Sequence, residues 1–195
     1  MRWLAIFLTG LLFAADPSIP RPPAAVKILG LFDHLQAAEQ QKLSGQKPQH
    51  VALELSEKEI NDYSVYALAV APRPGFRSLA VKVFQNNYIS TLTLVDFDAI
   101  ERWKPGTIPT LLKPVLTGTK IIWLDFRFQA AGGRTTFSVE KAYFENLRLP
   151  AFFVEKMIQA VAARQPEHYD TTRAVPLPFG LQKLWTKEHV VLGEN

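Results

Sequence analysis

From Phe76 onward the chain alternates with a period of two along long arms, and each pair of arms folds back on a turn. Leu79, Val81 and Val83 share one face of the first arm, and Leu92 and Leu94 lie in the returning one. Gln85-Asn86-Asn87 makes the turn between them, because Asn tolerates positive φ. In a second hairpin Ile122, Leu124, Phe126 and Phe128 line one face, and Asp125, Arg127 and Gln129 the other. Gly132-Gly133 turns the chain, and Phe137 and Val139 return on one face. The alternation slips around residues 141–144, which predicts a bulge. Successive strand side chains point to opposite faces, so arms of this kind must pair as antiparallel sheet.

Helical spacing surrounds this sheet. Ile28, Leu31, Phe32, Leu35 and Ala38 recur on one face, and Gly45 stops them. Residues 50–55 read as a short strand with Val51, Leu53 and Leu55 together. It runs into Ser56-Glu57-Lys58-Glu59, a capping box in which hydroxyl and carboxylate satisfy each other's orphan amide donors. Ile60, Tyr63, Ala67 and Val70 continue a helix that Pro72 to Gly75 ends. After Pro150, which pre-sets φ for a first helical turn, Phe152, Phe153, Met157, Ile158 and Val161 predict another helix, stopped at Gln165-Pro166. Residues 181–192 read as a last strand. Antiparallel strands with segregated helices give an α+β fold.

The 195 residues suffice for one domain with terminal extras. The division expected is a signal peptide at 1–15, a Pro-rich linker at 16–27, an amphipathic helix at 28–45 and a single α+β domain at 46–195. The first stretch, MRWLAIFLTGLLFAA, has a basic residue, an apolar run and a small-residue end, and the run is shorter than the ~20 residues a bilayer span needs. Export to a periplasm or to the medium follows as an expectation. The chain has no cysteine, which removes disulfides, thiol catalysis and thiolate metal sites. Its net charge of +4 comes from basic residues spread singly, so no stripe for nucleic acid exists, while weak attraction to anionic lipid stays open.

Recognisable catalytic machinery is missing from the sequence. The four histidines stand apart from one another. Asp96, Asp98 and Glu101 could hold calcium, but strand-end solvation or helix capping accounts for them more simply. Asp125 and Glu140 would form a glycosidase-like pair only if their strands abut. What remains is apolar surface, rich in the thirteen Phe of the chain. It makes either a filled core or a groove for an apolar ligand.

A strand leading into LSEKEIND, then PRPGF before long hairpins, then LRLPAFFVEKMI and PLPFGLQKLW, resembles small bacterial exported proteins of tubular lipid-binding (TULIP-like) type. The resemblance implies a highly curved antiparallel sheet of long hairpins wrapped around one or two helices, with a cleft for acyl chains. The lining it suggests is Leu79, Val81, Val83, Leu92, Leu94, Ile122, Leu124, Phe126, Phe128, Phe137, Val139, Phe153 and Met157. The expected activity is binding of a lipid acyl chain without catalysis, cofactor or metal. The alternative is an envelope interaction module with a filled core, meeting its partner through residues 28–45 or a sheet edge.

Overall fold

The computed structural model describes residues 19–108, 110, 113–150, 154 and 174–195. Helix α1, Pro23–Leu43, opens with proline in its first turn, where a missing N–H costs nothing. Residues 23–27, read above as the end of a tether, therefore belong to the helix. Its buried side chains Ala24, Ala25, Ile28, Phe32, Leu35 and Ala38 repeat every three or four residues, and Gly45 at φ 75° ends it as expected.

Strand β1 (Ala52–Ser56) buries Leu53 and Leu55, with Val51 buried just before it, and passes directly into helix α2 (Glu57–Val70). The capping box is present in full: Ser56 Oγ accepts the Glu59 N–H, and the Ser56 N–H donates to Glu59. The segment read as one last strand is a hairpin, β8 (Lys183–Lys187) and β9 (Val190–Glu194). Its alternation is only partial because Glu188 and His189 form a tight turn, with His189 at φ 60°. Strands β1, β9 and β8 form a three-stranded antiparallel sheet.

The long hairpins make the larger sheet. Strands β2 (Phe76–Phe84), β3 (Tyr88–Asp96), β4 (Thr119–Ala131), β5 (Arg134–Phe144) and β6 (Leu147–Leu149) lie in chain order, and the short β7 (Val175–Pro176) pairs with the start of β5. Asn86 and Asn87 take φ 61° and 58° in the first turn, as read from the sequence. The bulge sits slightly earlier than expected: Phe126 faces Val139 and Asp125 faces Lys141, leaving Glu140 as the extra residue. A short helix α3 (Phe97–Trp103) follows β3.

Helix α2 closes the free edge of β2. Asn61 acts there as a strand would, donating to the Val81 carbonyl at 2.9 Å and accepting the Val81 N–H at 2.7 Å. One turn earlier Glu57 accepts the Val83 N–H at 2.8 Å. An uncovered edge would be a template for another chain, and at Val81 and Val83 this one is satisfied. Asn87 joins the two sheets by exchanging hydrogen bonds with Thr186 at 2.7 and 2.9 Å.

Two apolar clusters result. The first packs Ile28, Phe32 and Leu35 of α1 against Leu53 and Leu55 of β1, Tyr63 and Tyr66 of α2, and Leu177 and Leu181. The second is Val81, Val83, Ile89 and Phe128 on the large sheet. In the first cluster the hydroxyls of Tyr63 and Tyr66 are buried without a hydrogen-bond partner, and burial pushes the Tyr63 phenol up to about 12. An unpartnered buried hydroxyl costs about 1–3 kcal/mol. Tyr66→Phe is therefore expected to hold or raise the urea midpoint, and a loss above about 1 kcal/mol would mean that the hydroxyl has a partner.

Candidate functional site

Strand register decides which of the candidate residues meet. Val83 faces Ile89, Val81 faces Thr91 and Leu79 faces Thr93, and these face Phe126, Leu124 and Ile122 of β4 in turn. On β4, Phe126 faces Val139 and Phe128 faces Phe137 across β5. Directly opposed strand residues share a face. Nine candidates thus lie on the inner face: Leu79, Val81, Val83, Ile122, Leu124, Phe126, Phe128, Phe137 and Val139.

Leu92 and Leu94 do not join them. They face Ala80 and Ser78 on one side and Trp123 and Ile121 on the other, so they lie on the outer face. The three-residue turn sets Phe84 opposite Tyr88, and from that point Ile89, Thr91, Thr93 and Val95 are the inward residues of β3. Both faces of this arm carry apolar residues, and the bulkier leucines face outward. Phe153 and Met157 lie outside the described residues, as does Phe152. Val154 is helical and buried, and its N–H donates to the Pro150 carbonyl.

The inner face is not uniform. Val83, Phe128 and Val81 are sealed as core, with Phe128 only 2% exposed. Leu79, Ile122, Leu124, Phe126, Phe137 and Val139 are half-buried, and the rings of Phe126 and Phe137 meet edge to face at 6.0 Å. Sequence reading could not grade these residues, because Leu184 and Val191 of the final hairpin and Ile60 of α2 pack on part of the face, and alternation says nothing about what covers a strand.

The outer face carries a polar cluster that the sequence did not reveal. Asp125 is buried there, accepting from Tyr88 Oη and from Trp123 Nε1, each at 2.7 Å. Burial pushes its carboxyl up, and the bonds from Ser90, Tyr88 and Trp123 outweigh that effect and hold it below the usual aspartate value. The Tyr88 hydroxyl is pushed up to about 12 by its burial and by the same bond. Glu140, at the bulge, pairs with Arg127 at 3.3 Å. The pair of acids raised as a hydrolytic centre is thus engaged by two different sets of neighbours.

Asp96 and Glu101, at and after the end of β3, serve structure, as the simpler reading had it. Asp96 caps α3 by accepting the Ala99 N–H and pairs with Arg77. Glu101 accepts the N–H groups of Gly106 and Ile108 and pairs with Lys113, and these hold its carboxyl at about 2. Among the described residues no three His, Asp or Glu side chains gather as metal ligands, and no helix is long and apolar enough to cross a membrane. Compared with protein-family models, with curated proteins and with solved structures, the chain matches none.

Proposed function

We propose that this chain is an exported, non-enzymatic protein that holds a lipid acyl chain or similar apolar ligand against the inner face of its large sheet. In this reading the sheet is strongly curved and wraps around helices, as in tubular lipid-binding proteins, and the protein works in a periplasm or after secretion. No cofactor enters the reading.

One observation carries it. Leu79, Ile122, Leu124, Phe126, Phe137 and Val139 stay half-buried on the face where Val81, Val83, Ile89 and Phe128 are sealed. The sealed residues make a floor, and the half-buried ones offer apolar area to a ligand. Each methylene buried there contributes about 0.8 kcal/mol. Hydrolysis has less support, because Asp125 is held by Tyr88 and Trp123, and Glu140 by Arg127. An interaction module working through residues 28–45 has less too, since the apolar face of that helix is spent on the first cluster.

The test is native mass spectrometry after gentle purification, alongside Leu124→Asn. The wild-type chain is expected to carry lipid-sized adducts, or to gain them from a lipid extract with a rise in melting temperature. In Leu124→Asn a polar amide would meet the acyl chain, so loading should fall about tenfold, while the ligand-free melting temperature moves less than for a floor residue because Leu124 lies outside the sealed cluster. A clean apo mass that gains nothing from extract would end the proposal.

A further inference from the structure

Among the described residues, large exposed apolar side chains concentrate at one end of the large sheet. Trp103, Val115 and Leu147 are 66%, 56% and 65% exposed, and Ile121, Trp123 and Leu92 continue the patch onto the outer face. Two connections meet at this end. Helix α3 leaves β3 at Asp96, opposite Thr119 where β4 begins, and the Phe97 N–H donates to the Gly118 carbonyl. The turn between β5 and β6 closes beside them, since the Glu145 N–H donates to the Ile121 carbonyl and the Phe97 and Phe144 rings lie 6.0 Å apart.

Charge at this end is unbalanced. Arg102, Lys104 and Arg148 are exposed, and no described carboxylate forms an ion pair with any of them. The nearby acids Asp96 and Glu101 are already occupied by Arg77 and Lys113, and the exposed Asp98 and Glu145 are outnumbered by the three unpaired cations. Apolar side chains projecting from the β3–β4 connection and from the start of β6, Trp103 between Arg102 and Lys104 and Leu147 beside Arg148, suit a soft layer better than a flat protein face. Trp beside Lys and Arg is the combination favoured at the boundary between headgroups and acyl chains.

We propose that this end of the molecule docks on an anionic lipid bilayer. Trp103, Val115 and Leu147 enter the headgroup boundary, and Arg102, Lys104 and Arg148 meet the anionic headgroups. The surface is distinct from the inner-face ligand site, and each can fail without the other.

The experiment is co-sedimentation of the full chain with phosphatidylcholine vesicles, plain or doped with phosphatidylglycerol, read together with tryptophan emission. Binding is expected with the doped vesicles, with a blue shift, and it should weaken as salt rises. Arg102→Glu with Lys104→Glu should weaken it about tenfold or more, given the attraction each cation near an anionic surface supplies. Trp103→Ser with Leu147→Ser should do the same and abolish the blue shift, whereas Val65→Ser, exposed elsewhere, should change nothing. Neither double variant should alter the melting temperature or the loading of the inner face, which Leu124→Asn alone disturbs. Equal binding to both vesicle types would overturn the proposal. So would indifference to both double variants, or self-association through this end with no vesicle binding.

Discussion

Phe128→Ala is expected to lower the unfolding free energy by about 3–5 kcal/mol. Phe128 is the largest of the fully buried side chains described, packed with Val81, Val83 and Ile89. Strand β4 is held on both sides, by β3 and by β5, and the Phe128 N–H donates to the Asn87 carbonyl in the turn. The walls therefore cannot close over the missing ring, and the cavity remains. Phe126→Ala, on a half-buried neighbour, should cost clearly less. Urea denaturation of the two variants at equal slope makes the comparison. If Phe128→Ala cost no more than Phe126→Ala, the floor would be open and the ligand surface would reach farther along the sheet.

A chain beginning at residue 46 is expected to show no cooperative unfolding transition. The sequence divides at that point into an amphipathic helix and a domain, but the first cluster does not respect the division. Ile28 and Leu35 are 1% and 0% exposed within it, and Phe32 stacks on Phe179 at 5.0 Å. Truncating one such side chain costs about 2–5 kcal/mol, so removing all three takes away about as much as the 5–15 kcal/mol by which a domain is ordinarily stable. Differential scanning calorimetry checks this, with Leu35→Ala in the full chain as the graded version, expected to lose about 2–5 kcal/mol. A sharp heat peak from the shortened chain would show that α1 is an accessory after all.

Local chemistry was legible in the sequence. The Ser56 capping box, the apolar stripe of α1 and the Asn86-Asn87 turn depend on residues within a few positions of one another, and the structure has them as read. Register was less legible. By pattern alone Leu92 and Leu94 group with the inward residues because β3 is apolar on both faces, and only its pairing with β2 and β4 separates them. The final hairpin reads as one strand because Glu188 and His189 are weak turn formers by type. Asn61 carries no sequence signal for its task, since an amide on a helix becomes an edge cap only when a strand arrives beside it. The half-buried set on the inner face was equally invisible, for it depends on how far the final hairpin, with Leu184 and Val191, reaches over the sheet.

The pairing of β1 with β9 has a consequence for the order in which the chain can fold. Ala52 faces Glu194, and the Val51 N–H donates to Asn195, so the first strand made waits for the last. Emerging from a ribosome, α1, β1 and α2 have a core they cannot close, because Leu177, Leu181 and both strands of the final hairpin are still missing. Such distant pairing is slow to find and leaves apolar surface bare in the meantime. Folding of this unit therefore completes only after β9 has emerged, and until then the apolar stripe of α1 stays open to whatever chaperone attends it.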